Sequence, residues 1–418
     1  MRVLGICHED PYDILGGMGM HLRELYKEMA KRDDVEIDLL TSGPEEGSFP
    51  CDGYTRHVSD KLICYKPKSA GLASLYASDI QMIRKLTQLL AAGKRWDLVH
   101  VHEWGSLQVA RLVRDALNIP MVGTLHLCLT KQAIEGTKDP KDLTSDPTQY
   151  MMQQEGHLAV DTDEFIVCSK AYEKIARKFF LTRRHIHIIY NGINREEWHP
   201  GVGNGIRARA THNVPPKDVC LYVGRIADMK GIRPLLDAIE ARDTGYFYVL
   251  AGMVAADTKE QAENWDVTKR MRKMNEELPG RFKWVDFQHG EPLKDLFAAA
   301  SIGIMPSTEE PFGIAALEHM AMGVPLISTQ VEGLGEVVND EAGGEYSLII
   351  EPNDPGQIVA AVETLKNKDK RDELTRLGLK RAKDFTWEEV AEQTVEVYNT
   401  ALERRRHGRQ TEPAARVG

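Results

Sequence analysis

Short apolar runs alternate with amphipathic helical stretches along the whole chain. In the first half RVLGIC, VEIDLLT, DLVHVH, MVGTLH, EFIVCS and IHIIYNG read as strands. VCLYVGR, YFYVLAG, FKWVDF, IGIMPS and VPLIST do the same in the second half. Between them lie helix-period segments such as GMHLRELYKEMAKR and IRPLLDAIEA. This alternation predicts parallel sheets covered by helices on both faces, and it occurs twice. The expected fold class is α/β, with two Rossmann-like doubly wound domains facing across a cleft lined by strand carboxyl ends. The stretch NGINREEWHPGVGN (191–204), rich in Gly, Asn and Pro, marks the linker. The domains are therefore placed at 1–195 and 196–385, followed by a helix and basic tail over 386–418. The polar stretch from Gln132 to Gln154 reads as a long loop with local helix, and the Arg-rich end after Leu402 as frayed.

Composition narrows the class. The chain has 418 residues, 42% hydrophobic and 28% charged, which suits a globular protein of two domains. A net charge of −10 argues against general nucleic-acid binding. The longest apolar run, YFYVLAGMVAA, is too short to span a bilayer, and MRVLGICHED too short in apolar residues for a signal peptide. Six cysteines lie without a C-x-x-C pair, and Cys7, Cys128, Cys168 and Cys220 fall in strand-like runs. That pattern fits reduced core thiols and a cytoplasmic location.

Three stretches carry candidate chemistry. HEDPYDILGGMGMHLREL places Gly16, Gly17 and Gly19 between a strand and a helix, where backbone amides approach a phosphate. The same glycines also serve a turn that needs nothing but backbone freedom. YVGRIADMKG sets Arg225 and Lys230 beyond a strand, spaced so that two cations can meet one diphosphate. Two solvated surface cations are the plainer alternative. PSTEEPFGIAALEHMAMGVPLIST puts Glu310 in a loop and Glu318 about two turns into the next helix. Small neighbours favour a packed ligand site there, one carboxylate holding a sugar and the other a ribose. A helix cap and a solvent-facing glutamate remain the alternative.

EPFGIAALE, with its seven residues between two glutamates, resembles the E-x7-E motif of the retaining, GT-B-fold glycosyltransferases of family 4. GRIADMKG is similar to that family's diphosphate Arg and Lys, GGMG to its glycine loop, and LVHVHEWG to the strand end carrying a histidine by the sugar. VCSKAYEK, IIYNGIN, VEGLGEVV and FTWEEVAEQTVEVYNTAL follow in the family's order, so the resemblance covers nearly the whole chain. It implies an acceptor-side first domain, a second domain that binds the nucleotide sugar, and a C-terminal helix packing back toward the first. By the same resemblance Glu310 holds the donor sugar, Glu318 the ribose, and Arg225 and Lys230 the leaving diphosphate. His102 holds the sugar and positions the acceptor. Gly17, Gly19, Phe312, Gly313, Ile314, Gly333, Leu334 and Gly335 complete the donor site. The implied activity transfers a hexose, glucose favoured, from a nucleotide diphosphate sugar to a carbohydrate or small hydroxyl acceptor. Retention is expected by front-face attack, with no metal and no cofactor. HEDPYDILGG and HEWG favour the glycogen-synthase-like branch.

The sequence also departs from the family pattern. Asn194 stands where many relatives have Asp, Gly335 where Pro is common, and Ile14 and Leu15 where bacterial glycogen synthases carry a Lys. Asp161 and Asp163 imitate a metal-binding D-x-D but sit at a turn before a strand. His100 and His102, like His185 and His187, share one strand face, and no cysteine or acidic cluster completes a zinc set. The competing readings are a glycosyltransferase acting on lipid or surface polysaccharide, a sugar-nucleotide epimerase, and a non-catalytic sugar-nucleotide binder. A phosphorylase would need a pyridoxal lysine, for which no convincing context is found. Peripheral membrane contact and oligomeric state are left open.

Overall fold

A computed structural model describes residues 1–12, 16–60, 71–136, 143, 145–180, 182, 185–254 and 259–411. It divides into two compact units: Met1–Tyr190 with Trp387–Gly418, and Asn191–Thr386.

The first unit is built on a sheet of β1 (Arg2–Ile6), β2 (Glu36–Gly43), β3 (Gly47–Cys51), β4 (Tyr54–Asp60), β5 (Leu98–His102), β6 (Met121–Leu125), β7 (Glu164–Val167) and β8 (Ile186–Ile188). Their spatial order is β3-β4-β2-β1-β5-β6-β7-β8. Pairing is parallel except at β3–β4, a hairpin the strand pattern did not predict. Its turn is Asp52–Gly53, both at positive φ (22° and 89°), the backbone that joins two strands through two residues. The strand order reverses between β1 and β5, so the crevice of this sheet opens where the glycine loop and His102 end their strands.

The helix Gly17–Met29 buries Leu22, Leu25, Tyr26 and Met29, an i, i+3, i+4, i+7 stripe. The helix Trp387–Thr411 packs on it, burying Trp387, Val390, Ala391, Tyr398 and Ala401 in the same core. The Arg-rich end after Leu402 is not frayed: the helix runs on to Thr411. Arg404 pairs with Glu164 Oε1 (2.5 Å), and Arg405 Nη2 donates to Asn118 Oδ1 (2.6 Å). The tail beyond Thr411 lies outside the described residues, as do Ile14 and Leu15. In the polar stretch 132–154 the described residues are mostly helical, within Leu129–Gly136 and Asp146–Asp161.

The second unit carries β9 (Val219–Val223), β10 (Phe247–Ala251), β11 (Phe282–Val285), β12 (Ile302–Met305), β13 (Leu326–Ser328) and β14 (Leu348–Ile349). The order is β11-β10-β9-β12-β13-β14, and every pair is parallel. Here the order reverses between β9 and β12. The loops after these two strands are the ones that carry Arg225, Lys230 and Glu310. Among the described residues no helix is long and apolar enough to cross a membrane.

Candidate active site

Two loops of the second unit are joined backbone to backbone. After β9 the chain makes a tight turn at Asp228–Lys230 and passes Gly231 at φ 67°. A Cβ on Gly231 would stand 1.8 Å from the Pro306 carbonyl oxygen, so only glycine lets the turn lie against the loop after β12. The amides of Thr308 and Glu309 then donate to the Met229 carbonyl at 2.8 and 3.2 Å. This stitching delivers Lys230 Nζ to 2.7 Å from Glu310 Oε2, with each side chain only 13% exposed. Arg225 is exposed and forms no ion pair among the described residues. Its carbonyl accepts the Tyr222 hydroxyl at 2.7 Å, which fixes the backbone at the mouth of β9.

Glu310 is held from behind. Its amide donates to Glu332 Oε2 at 2.9 Å, and its carbonyl accepts the Leu334 amide at 3.4 Å. The two glycine turns around it pack closely: a Cβ on Gly333 would meet the Pro311 oxygen at 1.9 Å, and one on Gly313 would meet Leu334 Cδ1 at 2.9 Å. Gly313, at φ 102°, starts the helix Ile314–Ala321. Glu318 is therefore about one turn into that helix, roughly 6 Å along it, and not two turns. The loop is longer than expected because Gly313 reverses the backbone before the helix begins. Glu318 is 6% exposed. Phe312 is buried with its ring on Phe385 (5.7 Å between centroids), and Leu334 is fully buried, so each has only its main chain to offer a ligand. Beside Glu318, His319 lies against Gly303, donates Nδ1–H to the Ala315 carbonyl (2.7 Å), and is held by burial down to about 4.

In the first unit Gly17 is exposed and Gly19 buried; the Gly19 amide donates to Glu9 Oε1 at 3.0 Å. At the end of β5, His100 has both nitrogens engaged, by the Tyr398 hydroxyl and Thr124 Oγ1 at 2.7 Å each. It is a packed interior histidine, held by burial down to about 3. His102 is equally buried but differently bonded. Its Nε2 is 2.7 Å from the Tyr26 hydroxyl and its Nδ1 3.1 Å from His126 Nε2. Burial, and then the neighbouring His100, His126 and His21, keep it well below the usual histidine range.

Glu103 follows at φ 66° and accepts the His126 and Leu127 amides at 2.5 and 2.8 Å. Burial and the charge of Glu155 push it up to about 8. Glu103, His126 and His21 were not anticipated as site residues. HEWG and TLHL, the strand ends that carry Glu103 and His126, held the signal. The D-x-D has structural partners: Asp161 pairs with Arg111, and Asp163 Oδ2 accepts the Met121 amide at 2.7 Å. His187 pairs with Glu164 at 2.8 Å.

The family model "Glycosyltransferase Family 4" matches residues 15–197, and "Glycosyl transferases group 1" matches 207–381. A glycogen synthase of Mycobacterium tuberculosis is 27% identical, with 99% of this chain and 97% of that protein covered. Among solved structures, sucrose-phosphate synthase from Thermosynechococcus elongatus aligns with a TM-score of 0.79 at 22% identity, covering 96% of this chain and 99% of the other. Anabaena HepE in complex with UDP-glucose aligns with a TM-score of 0.72 at 18% identity, covering 96% and 100%. Matched by these models over most of its length and sharing its fold end to end with such proteins, the chain belongs to the GT-B-fold glycosyltransferases of family 4, which draw on nucleotide-sugar donors.

Proposed function

We propose that the protein transfers a hexosyl unit, glucose in the first instance, from a nucleoside diphosphate sugar to a hydroxyl of a carbohydrate or small acceptor, with retention and without a metal or organic cofactor. The observation that carries this reading is the Lys230–Glu310 pair, a cation and a carboxylate held at the carboxyl end of the switch-point strands. Lys230 and exposed Arg225 meet the diphosphate, whose charge grows as the glycosidic bond breaks; fixed cations stabilise that charge without a reorganisation cost. Glu310 accepts hydrogen bonds from the donor sugar and Glu318 from the ribose. The main chain of Phe312, Gly313, Ile314, Gly333 and Leu334 lines the donor position, and the exposed Gly17 supplies an amide on the phosphate side, whereas the buried Gly19 amide is taken by Glu9. His102, fully buried with both ring nitrogens engaged, reaches the sugar by exchanging its Nδ1 contact with His126 for a sugar hydroxyl. No glutamate acts as nucleophile; the departing diphosphate takes the acceptor proton.

The UDP-glucose complex of one structural neighbour favours glucose. The test is to incubate the protein with UDP-glucose and a panel of sugars and sugar phosphates in excess EDTA, and to follow donor and product by NMR. Formation of an α-linked product supports the reading. A β-linked product would refute retention, and dependence on added manganese would refute metal independence.

A further inference from the structure

We propose that His21, His102 and His126 form a binding site for a divalent cation of the zinc class, and that its occupation shuts off glycosyl transfer. The second half rests on the sugar-holding role proposed above for His102. The three imidazoles come from three elements of the first unit: the helix Gly17–Met29, the last residue of β5, and the residue after β6. Their ring nitrogens converge to within 4.8 Å of one another. His21 and His126 meet edge to face at 4.5 Å between centroids, and His102 stacks on His126 at 5.4 Å.

Nitrogens bound to one tetrahedral zinc at about 2.0–2.1 Å stand roughly 3.4 Å apart. His102 Nδ1 and His126 Nε2, at 3.1 Å, are already near that spacing, joined by one shared proton that a cation can replace. The His21 nitrogen has at most about 1.4 Å to close, a distance within reach of side-chain rotation.

The outer contacts suit the same use. A metal-bound histidine gives its other N–H to a fixed acceptor, which sets the tautomer. The Tyr26 hydroxyl, 2.7 Å from His102 Nε2, is placed to accept that proton and leave Nδ1 facing the other two rings. His100, 4.0 Å from His102 between centroids, is excluded because Tyr398 and Thr124 engage both its nitrogens. A set made only of imidazoles selects zinc, copper or nickel over magnesium and manganese. Three ligands leave a fourth position for water. A cation there takes the His102 ring nitrogen away from any sugar hydroxyl, so binding and turnover exclude each other.

Calorimetric titration of zinc into the full chain, without donor, should show one zinc per chain. His21→Gln and His126→Gln should each weaken it at least tenfold, while His185→Gln should bind as the wild type does. Magnesium should not bind at this site. Zinc-edge X-ray absorption of the wild type should show a shell of imidazole nitrogens, which keeps the test decisive if a variant fails to fold. No zinc binding, binding unchanged in the two folded variants, or a thiolate in the metal's shell would overturn the site. Donor turnover should then fall in step with zinc occupancy and recover in EDTA. Full turnover at saturating zinc would overturn the inhibition while leaving the site. Because binding is read without donor, failure of the glycosyltransfer reading cannot mimic failure of the site.

Discussion

Lys230 Nζ lies 2.7 Å from Glu310 Oε2, and both side chains are largely closed to solvent. Each partner has another use in the proposed reaction, Lys230 for the diphosphate and Glu310 for the sugar. Donor binding thus exchanges one ion pair for two sets of ligand contacts. Removing one member of such a pair leaves the other buried and uncompensated, and an incoming anion can supply the missing charge.

From this follows a pair of opposite effects at one residue. Glu310→Gln should raise the affinity for nucleoside diphosphate by about tenfold, or 1.4 kcal/mol, because Lys230 is released to it. The same change should lower turnover of the nucleotide sugar, because the sugar loses its carboxylate. Calorimetry with the diphosphate and steady-state kinetics with the sugar donor measure the two. Diphosphate affinity that is unchanged or falls would break the link between the pair and the ligand.

Gly231 tests how the pair is assembled. A methyl group there meets both a left-handed backbone (φ 67°) and the Pro306 oxygen at 1.8 Å. Gly231→Ala should cost roughly 1–3 kcal/mol of stability and weaken diphosphate binding as Lys230 is displaced. Denaturant unfolding with calorimetry on the same variant checks both. A variant as stable as the wild type would show that the close approach is not required.

Acid should destabilise the second unit through His319. Its imidazole is held down to about 4 by burial, so across the window below the ordinary histidine value the unfolded chain takes up a proton that the folded chain refuses. Stability therefore falls as pH drops from about 6.5 toward 4, by on the order of 3 kcal/mol in total. Between pH 7 and pH 5 the loss in His319→Gln should be smaller by about 2 kcal/mol. Equal losses in the two proteins would contradict this origin.

Strands β1, β2 and β5 to β13 are legible in the sequence because buried parallel strands are short apolar runs bounded by turns, whereas the two-residue β14 is too short to stand out. The β3–β4 hairpin does not stand out because its strands are mixed in polarity, and its one local mark is the Asp52–Gly53 turn. Glu310 and Lys230 are each marked by local motifs, yet their contact spans 80 positions and depends on Gly231 and Met229. No spacing rule carries that information. His21, His102 and His126 likewise come from separate elements, and metal-ligand spacings read along the chain could not bring them together. The basic end of the last helix looked frayed because its partners, Asn118 and Glu164, are remote in sequence.

Everything in the proposed reaction depends on Arg225 and Lys230 reading the diphosphate as charge. The most direct measurement is calorimetric titration of uridine and of its diphosphate into the wild type, Arg225→Ala, Lys230→Ala and the double variant. The wild type should prefer the diphosphate strongly. Each single variant should lose roughly 1.5–3 kcal/mol of that preference, and the double variant most of it, with uridine binding nearly unchanged. The two losses should not simply add, because both cations act on one group. A double variant that keeps the full preference for the diphosphate would show that these residues are surface charges and that the donor binds elsewhere.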